Sequence, residues 1–191
     1  MSLTLVTAPT TEPLSLTEAK AQLRLDTDAD DRLIQLLITA ARDWVEGQTK
    51  RALVSQVWDQ TMDGNWPWKH GGPRIELEKN PVISIGSITY ATGASPNPTL
   101  AASQYTSVTR NHGSYIVPAY GITWPTVRSV PEAVTVRFTA GYTTVPKPLV
   151  HAIAMLVTHW YENREVIETQ ARQINMVPYS VEALISPYRR A

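Results

Sequence analysis

The sequence predicts an α+β protein: a helical bundle of two N-terminal and two C-terminal helices that carries an inserted small antiparallel β unit. Apolar residues recur at three- and four-residue spacing towards both ends of the chain, which is typical of helices that bury one face. The middle is rich in Val, Ile, Thr and Tyr, and 8 of the 14 prolines lie between Pro67 and Pro131, which indicates strands with long connections. Within one subunit spanning residues 1–191, we assign N-terminal helices to 15–52, a β-rich insertion to 53–140, C-terminal helices to 146–187 and a tail to 188–191.

The first two helices are predicted from their end signals and apolar faces. Ser15 followed by Glu18 forms a capping box, and the first helix should end near Asp26. Acidic residues suit the start of the second helix because they meet unpaired backbone N–H groups there. Apolar residues from Leu33 to Val45 then keep helical spacing, so we expect a helix over residues 30–50.

Six short stretches predict the strands of the β unit. Each is rich in β-branched or aromatic residues, and Gly or Pro separates them. The stretches are Val54–Met62, Ile75–Leu77, Val82–Tyr90, Tyr105–Val108, Tyr115–Val117 and Val134–Phe138. The prolines and glycines between them support a small antiparallel β unit with long connections.

Two further helices are expected after the β unit. Pro148 suits the first helical position, and apolar residues from Leu149 onwards predict a helix that continues to about Ile167. A short last helix should follow, with Ser180 as its N-cap and Pro187 as its stop.

The composition excludes several functional classes. The chain has 191 residues, 43% apolar and 18% charged, which fits a globular protein. Lys and Arg number 17, as do Asp and Glu, so the net charge is zero, which disfavours a protein whose main work is gripping nucleic acid. The absence of cysteine excludes disulfides and thiol catalysis. No basic, apolar leader or apolar stretch of about 20 residues is present, so we expect no membrane partner and a cytosolic place of assembly.

Two groups of possible metal ligands favour structural roles. Asp26, Asp28 and Asp30 open like a calcium loop, but the Gly and Glu that the rest of that loop needs are missing, so helix capping is favoured. His151, His159 and Glu162 could share one helical face, yet their spacing matches no known zinc motif. Since no nucleotide-binding or hydrolase motif is present either, we assign no catalytic, cofactor-binding or metal-binding residue.

Two other segments are candidates for contact with a partner. Trp66 and Trp68 lie in a loop flanked by Pro and Gly, and they either mark a protein contact or fold back onto the sheet. Tyr188, Arg189 and Arg190 follow a helix-stopping proline, and they form either a solvated tail or an arm that enters a neighbour or touches DNA phosphate.

The ordered set of these signals resembles the head–tail connector (adaptor, head-completion) family of long-tailed bacteriophages, prophages and gene-transfer particles. The similarity covers most of the chain and is strongest at VTVRFTAGY, residues 134–142. The other segments are LTEAKAQLR (16–24), Asp30-Asp31, Trp44-Val45-Glu46, GITWP (121–125), Val145-Pro146, AIAML (152–156), WYENRE (160–165) and VEALISPYR (181–189).

The resemblance implies a structural virion protein without catalytic activity or cofactor. About a dozen copies would form a ring under the portal vertex, extend the channel for double-stranded DNA, and present a docking surface to a stopper or tail-completion protein. DNA would pass without sequence-specific contact. The position implied is the head–tail junction of the virion, after assembly in the bacterial host cytoplasm.

A closed ring requires two different side faces on each subunit. Trp44 and Val45 lie on neighbouring flanks of the second helix, so both are candidates for the subunit interface. We also expect the C-terminal residues 176–191 to dock against the portal. The alternatives are a tail-side completion or terminator protein and, less favoured, an enzyme with an unrecognised site.

Overall fold

The computed structural model describes residues 1–64, 74–110, 113–163 and 178–189. The chain forms two compact units, and each consists of separate stretches of sequence. The β-rich unit comprises Met1–Thr10 and Lys50–Thr143, and the helical unit comprises Thr11–Thr49 and Thr144–Ala191. The predicted α+β class is confirmed.

The helical unit holds four described α-helices. α1 and α3 both pack on α2, and α4 packs mainly on α3. Their bounds are α1 Leu16–Leu23, α2 Asp31–Thr49, α3 Lys147–Glu162 and α4 Tyr179–Ile185, and a 3-10 turn, Ser186–Tyr188, follows α4. The side chains they bury are mostly aliphatic, and the largest fully buried ones are Ile34, Ile38, Leu149, Ile153, Leu156 and Ile185.

The predicted capping box at the start of α1 is confirmed. The Glu18 backbone N–H donates to the Ser15 hydroxyl, and the Glu18 carboxylate accepts from the Ser15 backbone N–H at 2.9 Å. The hydrogen bonds from Ser15 hold the pKa of Glu18 below its usual value. α1 ends three residues before the predicted Asp26, because Arg24 adopts a left-handed backbone conformation and donates back to Ala21 and Lys20.

The C-terminal helices differ from prediction at their ends. α3 begins at Lys147, so Pro148 occupies the second helical position rather than the first. The predicted continuation to Ile167 lies outside the described residues beyond Asn163. Ser180 was expected as the N-cap of the last helix, but this is wrong: the helix begins at Tyr179, directly after Pro178.

The described residues of the β-rich unit form two antiparallel sheets. The four-stranded sheet has the order β1-β2-β7-β4, and the three-stranded sheet has the order β3-β6-β5. The strands are β1 Ser2–Thr7, β2 Gln56–Met62, β3 Ile75–Leu77, β4 Val82–Tyr90, β5 Tyr105–Arg110, β6 Gly113–Pro118 and β7 Val134–Ala140. All six predicted strands are present.

The two sheets share one apolar core. Alternate residues of β7, the central strand, are fully buried, as expected when one face of a strand meets another layer. They pack in one cluster with Ile75, Leu77 and Ile116 of the small sheet. The buried residues of β7 are Val134, Val136, Phe138 and Ala140.

Strand β1 was not predicted from the sequence. It pairs with β2 at the edge of the large sheet, with Leu3 opposite Gln60. Only Leu3 is packed against the core, while Leu5 and Val6 are 42% and 44% exposed. The β unit therefore includes the chain's first residues in addition to the predicted insertion.

Two buried amide side chains join the sheets. Gln60 of β2 donates from Nε2 to the Glu76 carbonyl at 2.7 Å, and its Oε1 accepts from the Glu78 backbone N–H at 2.9 Å. Asn80 donates from Nδ2 to the Arg110 carbonyl at 3.0 Å and accepts from the Ser114 hydroxyl. Both amides are at most 2% exposed, so their hydrogen bonds form in a dry environment where an unmade one is costly.

A glycine permits the close crossing of two chain segments in the β-rich unit. Gly141 has φ +148°, and a Cβ atom there would lie 2.5 Å from the Val54 carbonyl oxygen. Its own N–H donates to the Pro81 carbonyl at 2.9 Å. A side chain at this position is excluded by both sterics and backbone conformation.

We predict that Gly141→Ala lowers the free energy of unfolding by at least about 2 kcal/mol, because it combines backbone strain with a clash against main-chain atoms. The matched control is Gly47→Ala in α2, where a Cβ atom meets nothing within 4 Å. This control should raise stability by about 0.5–1 kcal/mol through helix propensity. Urea unfolding followed by circular dichroism measures both, and equal effects would contradict the steric explanation.

Candidate assembly surfaces

The predicted partner contacts fall partly within the described chain. Trp66, Trp68 and Arg190 lie outside the described residues. Tyr188 is half-buried in the 3-10 turn after α4. Arg189 Nη2 lies 3.4 Å from the Gln48 Oε1 atom and 3.6 Å from the Glu182 carboxylate. Tyr188 and Arg189 therefore pack against their own helical unit.

Helix α4 is anchored by one face and open on another. Val181 and Ile185 are fully buried, whereas Tyr179 is 87% exposed. The helix follows Pro178, and the Ser186 N–H donates to the Glu182 carbonyl at its end. The C-terminal segment thus combines a fixed apolar anchor with an exposed aromatic side chain of the kind enriched at interfaces.

The two candidate interface residues on α2 have different environments. Trp44 is half-buried, and Ala40, one turn earlier, is exposed. Val45 is fully buried within the helical unit together with Ala41. The assignment of Val45 to the subunit surface is therefore wrong, because the packing of α2 covers that flank, and only the flank of Ala40 and Trp44 remains a candidate.

A buried charge cluster lies on α2, which the sequence analysis did not identify. Arg42 is 6% exposed and Glu46, one turn later, is 5% exposed. The Arg42 guanidinium lies 3.6 Å from the Glu46 carboxylate and donates from Nε to Glu12 at 2.7 Å. Glu12 also accepts from the Thr39 hydroxyl at 2.9 Å. This Arg42 cluster ties the segment before α1 onto α2.

The acidic loop between α1 and α2 is held by pairing with charged and hydroxyl groups. Lys20 Nζ lies 2.5 Å from Asp28 and 2.8 Å from Asp31. The hydrogen bond with Asp28 is the main cause that raises the pKa of Lys20 and lowers the pKa of Asp28. Asp30 accepts from the Tyr161 hydroxyl of α3 at 2.5 Å. The loop therefore helps to connect three helices.

The histidines of α3 lie in different surroundings. His151 and Glu162 are exposed, while half-buried His159 lies near Asn163, which donates to the His159 carbonyl at 2.7 Å. Among the described residues, no three side chains of His, Asp or Glu are placed to hold a metal ion. No helix in the described ranges is both long and apolar enough to cross a membrane.

The family is settled by comparison with known proteins. The sequence model of the phage gp6-like head–tail connector proteins matches residues 13–95 and 122–189 of the chain. The chain belongs to this family. The match includes all four helices and leaves out residues 96–121, which hold β5 and β6. The head–tail connector resemblance found in the sequence is thereby confirmed.

Solved particle structures include chains with the same fold. One chain from the neck of an empty gene transfer agent particle, computed with C6 symmetry, superposes with a TM-score of 0.81 at 26% identity. A chain of the native gene transfer agent virion gives 0.80, and one from the native neck, computed with C12 symmetry, gives 0.72, both at 26% identity. Each comparison covers 100% of the connector chain and 96% of the other chain. No curated protein matches.

These comparisons make the protein a head–tail connector of structural type. The family is defined by connectors, and the similar structures are components of particle necks and virions. Their coverage includes the whole chain, so the β-rich unit belongs to the shared fold as much as the helical unit does.

We predict that Arg42→Met destabilises the connector by about 3 kcal/mol, because it leaves the buried Glu46 carboxylate without its guanidinium neighbour. The double variant R42M/E46L should recover much of the loss, since no charge then remains buried at the pair. Asp43→Asn is the control: Asp43 also pairs with Arg42 but is 63% exposed, so its effect should stay within about 0.5 kcal/mol. Chemical unfolding measures all three, and a double variant R42M/E46L that is no more stable than Arg42→Met would contradict this explanation.

Proposed function

We propose that the connector forms a ring of about twelve copies that joins the portal vertex of a DNA-filled head to the tail and extends the DNA channel. Its partners are the portal protein, a stopper or tail-completion protein, and further copies of itself. Double-stranded DNA passes through without sequence-specific contacts. The subunit acts by shape and contact and performs no catalysis.

The observation that carries this proposal is the full-length similarity to chains of particle necks. Those necks were computed with sixfold and twelvefold symmetry, which is the arrangement expected of rings. A cyclic ring is built from heterologous contacts, in which two different faces of neighbouring subunits meet. The exposed flank of α2 around Ala40 and Trp44 and the exposed Tyr179 on α4 are candidates for such faces.

The C-terminal segment is our candidate for the portal contact. Deleting it would uncover the core, because Val181 and Ile185 are fully buried. A surface substitution therefore tests the contact more sharply than a deletion. Tyr179→Ser removes the exposed aromatic ring and leaves the buried face of α4 intact.

Light scattering on a sizing column tests the proposal, with the connector alone and mixed with the portal protein of the same particle. We expect a ring of about twelve copies or a stable complex with the portal. The connector could instead remain a monomer that does not bind the portal protein but binds a tail tube or terminator protein. That result would contradict the proposal and indicate a tail-side role.

In the same assay, we predict that Tyr179→Ser weakens the portal complex at least tenfold, as expected for a central aromatic contact. The matched control is Tyr120→Ser, because Tyr120 is fully exposed on the β-rich unit and has no role in the proposed portal contact. Equal weakening by both variants would exclude α4 as the specific site. Thermal unfolding verifies that both variants are folded.

A further inference from the structure

The outward face of the small sheet carries a row of charged and aromatic side chains. Side chains alternate between the two faces of a strand, and in this sheet Ile75, Leu77 and Ile116 fill the inner face. The neighbouring positions point the other way, and they place Arg74, Glu76, Tyr115 and Arg110 on the outer face. We call these four residues the arginine–tyrosine face.

Two guanidinium groups are held against one aromatic ring on this face. The Arg74 and Arg110 guanidinium carbons each lie 5.6 Å from the centre of the Tyr115 ring. They are therefore no more than about 11 Å apart. Stacking on a ring restricts a long side chain without burying its donors, so both groups keep N–H donors for a ligand.

The charges on this face are incompletely balanced. Arg74 lies 2.7 Å from the Glu76 carboxylate, a partly exposed pair of the kind that contributes little. The structure shows no ion pair between Arg110 and another described residue. The face thus retains at least one positive charge that its own carboxylate does not neutralise.

The whole β-rich unit is basic, although the chain is neutral. By sequence, residues 1–10 and 50–143 contain eight Lys and Arg against five Asp and Glu. The helical unit contains nine against twelve. The formal charges are therefore +3 and −3, and a polyanion is attracted to the β-rich unit and repelled by the helical unit.

We propose that the arginine–tyrosine face contacts the phosphate backbone of duplex DNA. This inference rests on the proposed function, which brings DNA past the subunit. Phosphates on one strand recur every 3.4 Å or so along the helix axis, so guanidinium groups at this separation can reach phosphates a few nucleotides apart. Two contacts per subunit are weak and independent of sequence, which allows DNA to move.

Part of the arginine–tyrosine face lies outside the sequence that the family model matches. Arg110 and Tyr115 lie in residues 96–121, which the family model leaves unmatched. Arg74 lies inside the matched stretch but immediately before β3, which pairs with β6. The hairpin residues of the proposed DNA contact therefore lie outside the family's matched sequence, although the hairpin lies within the fold that the gene transfer agent chains share.

Fluorescence anisotropy of a short labelled DNA duplex tests the proposal, using the full-length protein alone and in complex with the portal. The variant R74Q/R110Q removes both charges. For this variant, the slope of the logarithm of the DNA association constant against the logarithm of the salt concentration should be smaller by about 2 for each subunit in contact. Between 50 and 200 mM salt, the affinity of the wild type should therefore fall by a factor about tenfold larger than the affinity of the variant does. R74K/R110K keeps the charges and should retain most of the salt dependence.

The matched control is R32Q/R128Q, which removes the same charge from two exposed arginines elsewhere. An equal change of slope in the control would overturn the proposal in favour of a net-charge effect. The proposal is also overturned if the wild-type protein binds no DNA at low salt. It is overturned as well if R74Q/R110Q still binds DNA but no longer self-associates or binds the portal protein, because the face would then be a protein contact. If the wild-type protein binds DNA through this face but forms neither a ring nor a portal complex, the proposed function is contradicted and the proposed DNA contact is not.

Discussion

The β-rich unit depends on two amide side chains that are buried between its sheets. Gln60 supplies a donor and an acceptor to the backbone beside β3, as a further strand would. Asn80 donates to the Arg110 carbonyl of β5 and accepts from the Ser114 hydroxyl of β6. The edge strand β3 of the small sheet has only three residues. The amides satisfy backbone groups that the apolar core would otherwise leave unpaired. The orientation of the arginine–tyrosine face follows from this attachment.

In the helical unit, the short helices must be fixed to longer ones: α1 packs on α2, and α4 packs mainly on α3. α1 has eight residues and α4 seven, lengths at which isolated helices do not form in water. Apolar burial fixes α4, whereas charge pairing and hydrogen bonds fix the segments around α1 through Glu12, Lys20 and Asp30. Charged groups near α2 thus fix the positions of the segments that pack on it, and the exposed flank of α2 remains available for contact with neighbouring subunits.

Much of this fold could be predicted from local sequence, since periodicity, capping residues and β-branched stretches act over a few positions. The strand order β1-β2-β7-β4 could not, because it joins residues far apart in the chain. β1 was missed because it is six residues long and buries little. Trp44 and Val45 are adjacent, and only the packing of α2 shows that Val45 is covered. The burial of Arg42 and Glu46 could not be predicted, because charged side chains are seldom buried unless they are paired, and the pairing of Arg42 with Glu12 joins residues thirty positions apart.

The chain passes between its two units three times, after Thr10, Thr49 and Thr143. A domain inserted into a loop is joined by two connections and is encoded by one continuous piece of gene. Here the first strand also belongs to the β-rich unit, so a transplant of that unit requires two separate pieces of gene to move together.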